Sequence, residues 1–198
     1  MYASAFVLGF HGCDESVGEK VLAGKDHLKP SANDYDWLGH GIYFWENSPK
    51  RARHWAEFLA SRPTKTKTPI KRPFVLGAVI DLGNCLDLTE AASLAFVRRS
   101  YDDMKMGFET IGLDLPKNEP GAKGDEDLLK RKLDCAVINY AHALREDDED
   151  GLNPFDSVRG AFAEGEPLYA GAKIMAKTHI QVCVRKPSSI RGYFRPII

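Results

Sequence analysis

Several short stretches of this chain carry residue types that can do chemistry together, each where a strand or tight turn can hold it still. The first is Phe10-His11-Gly12-Cys13, an imidazole followed by a glycine at the end of an apolar run. A glycine there lets a flat ligand press against backbone whose N–H and C=O remain free to bond. Another is Leu38-Gly39-His40-Gly41-Ile42-Tyr43-Phe44-Trp45, two glycines around one residue and then a β-branched and aromatic run. That pattern favours a strand entered through a turn, which would deliver Tyr43 to a defined place. In the helix after it, Ala52, Trp55, Ala56 and Leu59 fall on one face. Near the end, Thr178-His179-Ile180-Gln181-Val182-Cys183-Val184 alternates, so His179 and Gln181 point the same way. Two rings from adjoining elements, Tyr43 and Trp55, can converge on one cleft, with His11 and Gln181 as hydrogen-bonding groups. The plain alternative for each is a core residue: a histidine bonded to backbone, and aromatics packed in the interior.

The elements that must position these groups follow from pattern. Ala5 to Cys13 reads as a buried strand, and Asp14 to Gly24 as a short helix with Val17, Val21 and Leu22 inward. His27 to Ser31 is extended and leads into the polar loop Ala32 to Asp36. Ser48-Pro49 opens a helix in the usual way, with a capping residue followed by proline. Arg62 to Pro73 is a basic, proline-punctuated loop, the place where a phosphate-rich partner would find clustered positive charge. Phe74 to Leu82 reads as a central strand, and a helix follows from Glu90 to about Met104 with Leu94, Val97 and Tyr101 on one face. Asp125 is expected to cap a second long helix whose stripe is Leu128, Leu129, Leu133, Val137 and Tyr140. The acidic run Glu146 to Asp150 reads as a solvated loop. Asp156 to Phe162 and Ile190 to Phe194 are short strands, on either side of a glycine-rich loop and the Thr178 to Val184 strand.

Composition bounds the rest. With 198 residues and 43% hydrophobic content the chain is long enough for one sizeable domain, expected to span 1–198. Lys+Arg 27 against Asp+Glu 28 leaves a net charge of -1, so no global field draws it to nucleic acid or a membrane surface. The apolar N-terminus lacks a positive leader region, and no run approaches the ~18 apolar residues of a membrane span. Cys13, Cys85, Cys135 and Cys183 are far apart and form no CxxC pair, which argues against zinc and for buried free thiols in a reducing cytoplasm.

Strand-His-Gly near the start, Gly-x-Gly-Ile-Tyr-Phe with a following Ala-x-x-Trp-Ala helix, and a late strand Ile-Gln-Val-Cys-Val resemble the ADP-ribosyltransferases of the diphtheria-toxin and poly(ADP-ribose) polymerase type. The resemblance covers nearly the whole chain. It implies an α+β fold, a split mixed β-sheet with flanking helices, and NAD as substrate. It matches His11 to the motif His, Gly12 to its neighbour, Tyr43 to the motif Tyr, and Gln181 to the third position, where the family usually has Glu. Trp55 stands where relatives often place the second ring of the nicotinamide sandwich, with His54 the competing choice. Ser31 and Lys29 are placed beside the same cleft by position.

NAD chemistry explains the residue types. Cleaving nicotinamide from ribose passes through an oxocarbenium-like state, so the leaving group must lie flat while the ribose hydroxyls are held. Gly12 backbone can pair with the carboxamide, Tyr43 and Trp55 supply flat faces, and His11 bonds the adenosine-side ribose. Gln181 keeps a hydrogen bond but loses the negative charge of Glu, so single transfer at most is expected. Glu164 or Glu166 from the preceding loop could compensate, and His179 could bear on acceptor choice. The resulting expectation is a cytoplasmic mono-ADP-ribosyltransferase, by analogy a toxin or defence effector with an antitoxin partner open. A protein acceptor is favoured, and RNA or DNA stays open. The rivals are a catalytically silent NAD- or ADP-ribose-binding module and an RNA 2′-phosphotransferase on the same scaffold.

Overall fold

A computed structural model describes residues 5–62, 69–121, 128–146 and 153–198. The fold is α+β: a seven-stranded mixed sheet flanked by four helices. The strands are β1 (Phe6–Asp14), β2 (Ile42–Glu46), β3 (Pro73–Asp81), β4 (Cys85–Asp87), β5 (Ser157–Phe162), β6 (His179–Val184) and β7 (Ile190–Phe194), in the spatial order β4-β5-β6-β2-β1-β3-β7. Neighbours are antiparallel except β4 and β5, which run parallel. The helices are α1 (Glu15–Leu22), α2 (Pro49–Ala60), α3 (Ala91–Thr110) and α4 (Lys132–Glu146).

The sheet is narrowly joined at its middle. β1 pairs with β3 at nine positions from Phe6 to Asp14, but with β2 only at Gly9–Glu46 and Phe10–Trp45, plus the Asn47 N–H bond to the Leu8 carbonyl. Past Phe10 the two strands part, so the halves β4-β5-β6-β2 and β1-β3-β7 meet along a short seam.

Register sorts the side chains between two faces. Tyr43, Trp45, Gln181, Cys183, Val158, Gly160, Phe10 and Gly12 share one face; His11, Phe44, Leu76 and Val182 share the other. α2 covers the first face over β1, and α4 with the N-terminal half of α3 covers it over β4 to β6, where Ile138, Phe96 and Val97 pack on Leu86, Val158 and Cys183. On the second face α1 places Val21 into a core of Phe44, Leu76, Ile80, Val182 and Val184. Arg159 braces that face, bonding both carboxylate oxygens of Glu46 (2.7 and 3.0 Å) and reaching Asp87 at 3.0 Å.

Several expectations need correction. Cys85–Asp87, between the expected central strand and the expected helix, is the edge strand β4, and α3 continues to Thr110 because nothing in its sequence breaks it before Gly112. Leu94 is exposed, and Ser100 and Met104 are the buried residues of α3. α4 begins only at Lys132, so Leu128 and Leu129 precede it and stand in solvent, and the buried stripe is Cys135, Val137, Ile138, Ala141 and His142. The expected cap Asp125, half of the basic loop and most of the acidic run lie outside the described residues. The cysteines are free, with Cys13, Cys135 and Cys183 buried and Cys85 half-buried.

Two outcomes follow from this packing. A Cβ at Gly12 would overlap the Ala52 carbonyl oxygen of α2, which is backbone and cannot turn aside, whereas one at Gly107 in α3 meets nothing within 4 Å. Gly12→Ala is therefore expected to cost about 1–3 kcal/mol and Gly107→Ala to add about 0.5–1 kcal/mol, read by denaturant unfolding. Equal effects at the two sites would refute the close approach of α2.

His142 is buried with neither ring nitrogen hydrogen-bonded among the described residues, and burial, then Arg185 and His40 nearby, pull its pKa down to about 3. Between the unfolded-state value near 6.5 and about 3 the unfolded chain holds a proton that the folded chain lacks, so stability falls as pH falls through that window. The slope from this group is up to about 1.4 kcal/mol per pH unit, and His142→Leu should flatten the profile of unfolding free energy measured from pH 7 to 4.

Candidate functional site

Where β1 and β2 part, backbone groups lose their ladder partners and must find others. The Tyr43 carbonyl finds the His11 ring: Nδ1 lies 2.8 Å from it. A carbonyl only accepts, so Nδ1 carries the proton and Nε2 is left as an acceptor. Desolvation by burial lowers the His11 pKa against the raising effect of that bond, which keeps the ring neutral near pH 7. His11 thus stands in the seam, on the face opposite Tyr43 and Gln181, with its ring edge-on to Phe44 at 5.8 Å.

Tyr43 holds the turn that precedes it. Its hydroxyl accepts the Leu38 N–H at 3.0 Å and donates to the Gly39 carbonyl at 2.8 Å. Gly39 has φ 76°, the left-handed region that the tight return requires. Burial pushes the phenol pKa far above its usual value, with Cys183 beside it. The ring packs against Leu38, Cys183 and the α4 cluster, so it is a half-buried frame residue.

The turn also delivers Trp37, which sequence reasoning passed over. Its indole Nε1 donates to Gln181 Oε1 at 2.6 Å. The ring lies over Gly160 of β5, directly opposite Gln181 on β6, where a Cβ would come within 2.7 Å of it. A glycine inside a strand is a sign of close approach, and Gly160 was the available signal. His11, Tyr43 and Gln181 are therefore linked across β1, β2 and β6: ring to carbonyl, hydroxyl to the 38–39 backbone, and the preceding residue's indole to the amide.

The other expected site residues are more dispersed. Gly12 faces α2 rather than open space, because Ala52 and Ala56 crowd it. Trp55 is 43% exposed, stacked on Phe58 (5.6 Å, 20°) and tilted against Trp45 at 6.0 Å. Tyr43 and Trp55 make no ring contact among the described residues, and Trp45, two residues beyond Tyr43 on the same face, stands between them. Ser31 pairs with Gly41 through two backbone bonds (2.8 and 3.0 Å), its hydroxyl accepting from Asn33, while Lys29 and His54 are exposed. The extended segment before Ser31 forms no strand.

Around Trp45 and Gln181 lies a charged rim. His179 is buried, contacts the rings of Trp45 (6.4 Å) and Phe162 (5.4 Å), and donates from Nδ1 to the Lys177 carbonyl at 2.7 Å. Burial lowers its pKa, so Nε2 is a neutral acceptor; among the described residues it has no hydrogen-bond partner, nor do Trp45 Nε1 and Arg51 Nε. Arg131 sits over Phe162 at 4.7 Å. Glu164 is engaged by Arg51 at 3.1 Å and Lys177 at 3.7 Å, and Glu166 is exposed. The Glu164 carboxylate is thus already engaged in the place where a compensating charge is expected. Among the described residues no His, Cys, Asp and Glu cluster could hold a metal ion, and no helix is long and apolar enough to cross a membrane.

No protein-family profile matches the chain. It is similar to an uncharacterized protein of Methanocaldococcus jannaschii, 29% identical over 202 residues, spanning 92% of this chain and 83% of that protein.

Tyr43→Phe keeps the ring and strands two buried backbone groups without their hydroxyl. It should cost about 1–3 kcal/mol in chemical denaturation. A change within a few tenths of a kcal/mol would mean that the 38–41 turn does not depend on Tyr43.

Proposed function

We propose that this chain is an NAD-dependent mono-ADP-ribosyltransferase acting on a macromolecular acceptor in the cytoplasm, with protein favoured over nucleic acid. The observation that carries the reading is the hydrogen-bonded linkage of His11, Tyr43 and Gln181 on β1, β2 and β6, at the seam where the sheet opens. Trp55 and Trp45 support it as ring surfaces on the face that holds Gln181.

In this reading NAD lies along the seam. His11 Nε2 accepts from an adenosine-side ribose hydroxyl, and Trp55 offers a face to the cationic nicotinamide, worth ~0.5–2 kcal/mol. The bond from C1′ to the nicotinamide nitrogen breaks, and nicotinamide leaves neutral with the bonding pair. A nucleophile on the acceptor forms the new bond to C1′ and gives up its proton. Gln181 holds the nicotinamide-ribose hydroxyl without adding negative charge near the developing cation, so turnover is slow and chain elongation absent. The second reading, a silent NAD- or ADP-ribose-binding module, is favoured by one specific fact: Glu164, the carboxylate whose charge acts on His179, is already paired with two cations.

Nicotinamide release by the purified protein tests the proposal. Trp55→Ala, an exposed change, should lower kcat/KM about two- to thirty-fold, and Gln181→Glu should raise kcat. Labelled NAD supplied with cell lysate should leave label on protein, or on nucleic acid if that is the acceptor. Turnover only in Gln181→Glu would make the binding module the correct reading. Loss of phosphate from 2′-phosphorylated RNA would replace it with the phosphotransferase.

A further inference from the structure

We infer that Trp37 is the positioning residue that decides which end of the Gln181 amide meets a ligand: it holds the carbonyl, leaves the NH2 facing outward, and makes this position select a hydrogen-bond acceptor. Only the identity of that acceptor, an oxygen of the nicotinamide ribose, rests on the NAD reading.

An indole N–H donates and cannot accept, so the Gln181 atom 2.6 Å from Trp37 Nε1 must be the carbonyl oxygen. The assignment follows from chemistry, where an amide's two ends would otherwise be hard to tell apart. Trp37 has little freedom to release it. Its ring is seated on Gly160, tilted against Phe162 at 5.0 Å, and followed by Leu38 and Gly39, which the Tyr43 hydroxyl fixes.

Gln181 Nε2, by contrast, has no partner among the described residues, and the side chain is half-buried on the face it shares with its register partner Trp45. An unrestrained glutamine can turn either end to a ligand; this one cannot. A ligand hydroxyl here must accept from the amide, so its own proton stays free for another acceptor, and a ligand N–H at this point meets a donor. In Gln181→Glu both oxygens accept: one takes the Trp37 N–H, and the other turns the same spot from donor to acceptor.

The first readout needs no ligand. In proton–nitrogen correlation spectra the Trp37 indole proton should be shifted downfield and slow to exchange, and Gln181→Leu should move it upfield and speed its exchange. The second compares NAD with the analogue lacking the nicotinamide-ribose 2′-oxygen. Trp37→Phe keeps an aromatic ring on Gly160 but frees the amide, and should cut the preference for NAD about two- to twelve-fold, the usual worth of one net hydrogen bond. Gly160→Ala, which displaces the indole while keeping every polar group, should do the same. An indole resonance indifferent to Gln181→Leu, or an unchanged NAD preference in Trp37→Phe, overturns the inference. Failure of every variant and the wild type to bind NAD removes the NAD reading, while the indole shift still upholds the hold of Trp37 on Gln181.

Discussion

The short seam between β1 and β2 is the constraint on which the rest of the arrangement depends. A sheet that stops pairing in its middle leaves polar backbone groups that cannot stay buried and unbonded. Here the debt at Tyr43 is met by a side chain, His11, which must then carry a proton on Nδ1 and turn Nε2 the other way, while burial keeps the ring neutral. One carbonyl fixes the tautomer, and burial fixes the charge. From the same residue the hydroxyl reaches back to the 38–39 backbone, and that turn presents Trp37 to Gln181. Frame and site are one hydrogen-bonded system.

That economy has a thermodynamic side. The groups best suited to grip a ligand are already occupied in holding the fold: the Tyr43 hydroxyl, one nitrogen of His11 and the carbonyl of Gln181 are all engaged. What remains is a set of single valences, one acceptor on His11 and the amide protons on Gln181, with the Trp55 ring exposed on the face that holds Gln181. A site assembled from leftover valences is preorganised, because the strong partners cannot swing away. The buried Trp45 Nε1, Arg51 Nε and His179 Nε2 are different, since among the described residues their bonding capacity is unspent, which costs stability where they stand.

Much of the frame was legible because it is local. The apolar run of β1, the turn-then-aromatic pattern of β2, the Ser-Pro start of α2 and the alternation of β6 are all patterns within a single window, and each element lies close to its expected place. What was illegible depends on distant partners. Cys85–Asp87 becomes a strand only because β5, about seventy residues later, lies parallel to it. Leu128 and Leu129 look like a buried stripe until the helix is found to begin beyond them. Trp55 has helical spacing toward the core, yet Ala52 and Ala56 alone fill the contact with β1 and leave it outside. Trp37 reads as loop, since its contact with Gln181 joins residues 144 apart. His11, Tyr43 and Gln181 could be picked out from sequence by type and order; the hydrogen bonds that connect them could not.

The four thiols have a consequence of another kind. Burial raises Cys13, Cys85 and Cys135 to about 11 and Cys183 higher still, so at pH 7 about one in ten thousand of the first three is thiolate. Three are also shielded from reagents, and Cys85 is half-covered. Burial thereby slows alkylation and oxidation of these thiols while the protein is folded. One new cysteine placed on the exposed rim, at Trp55 for instance, would react alone, making the native chain a ready host for a single spectroscopic label beside the seam.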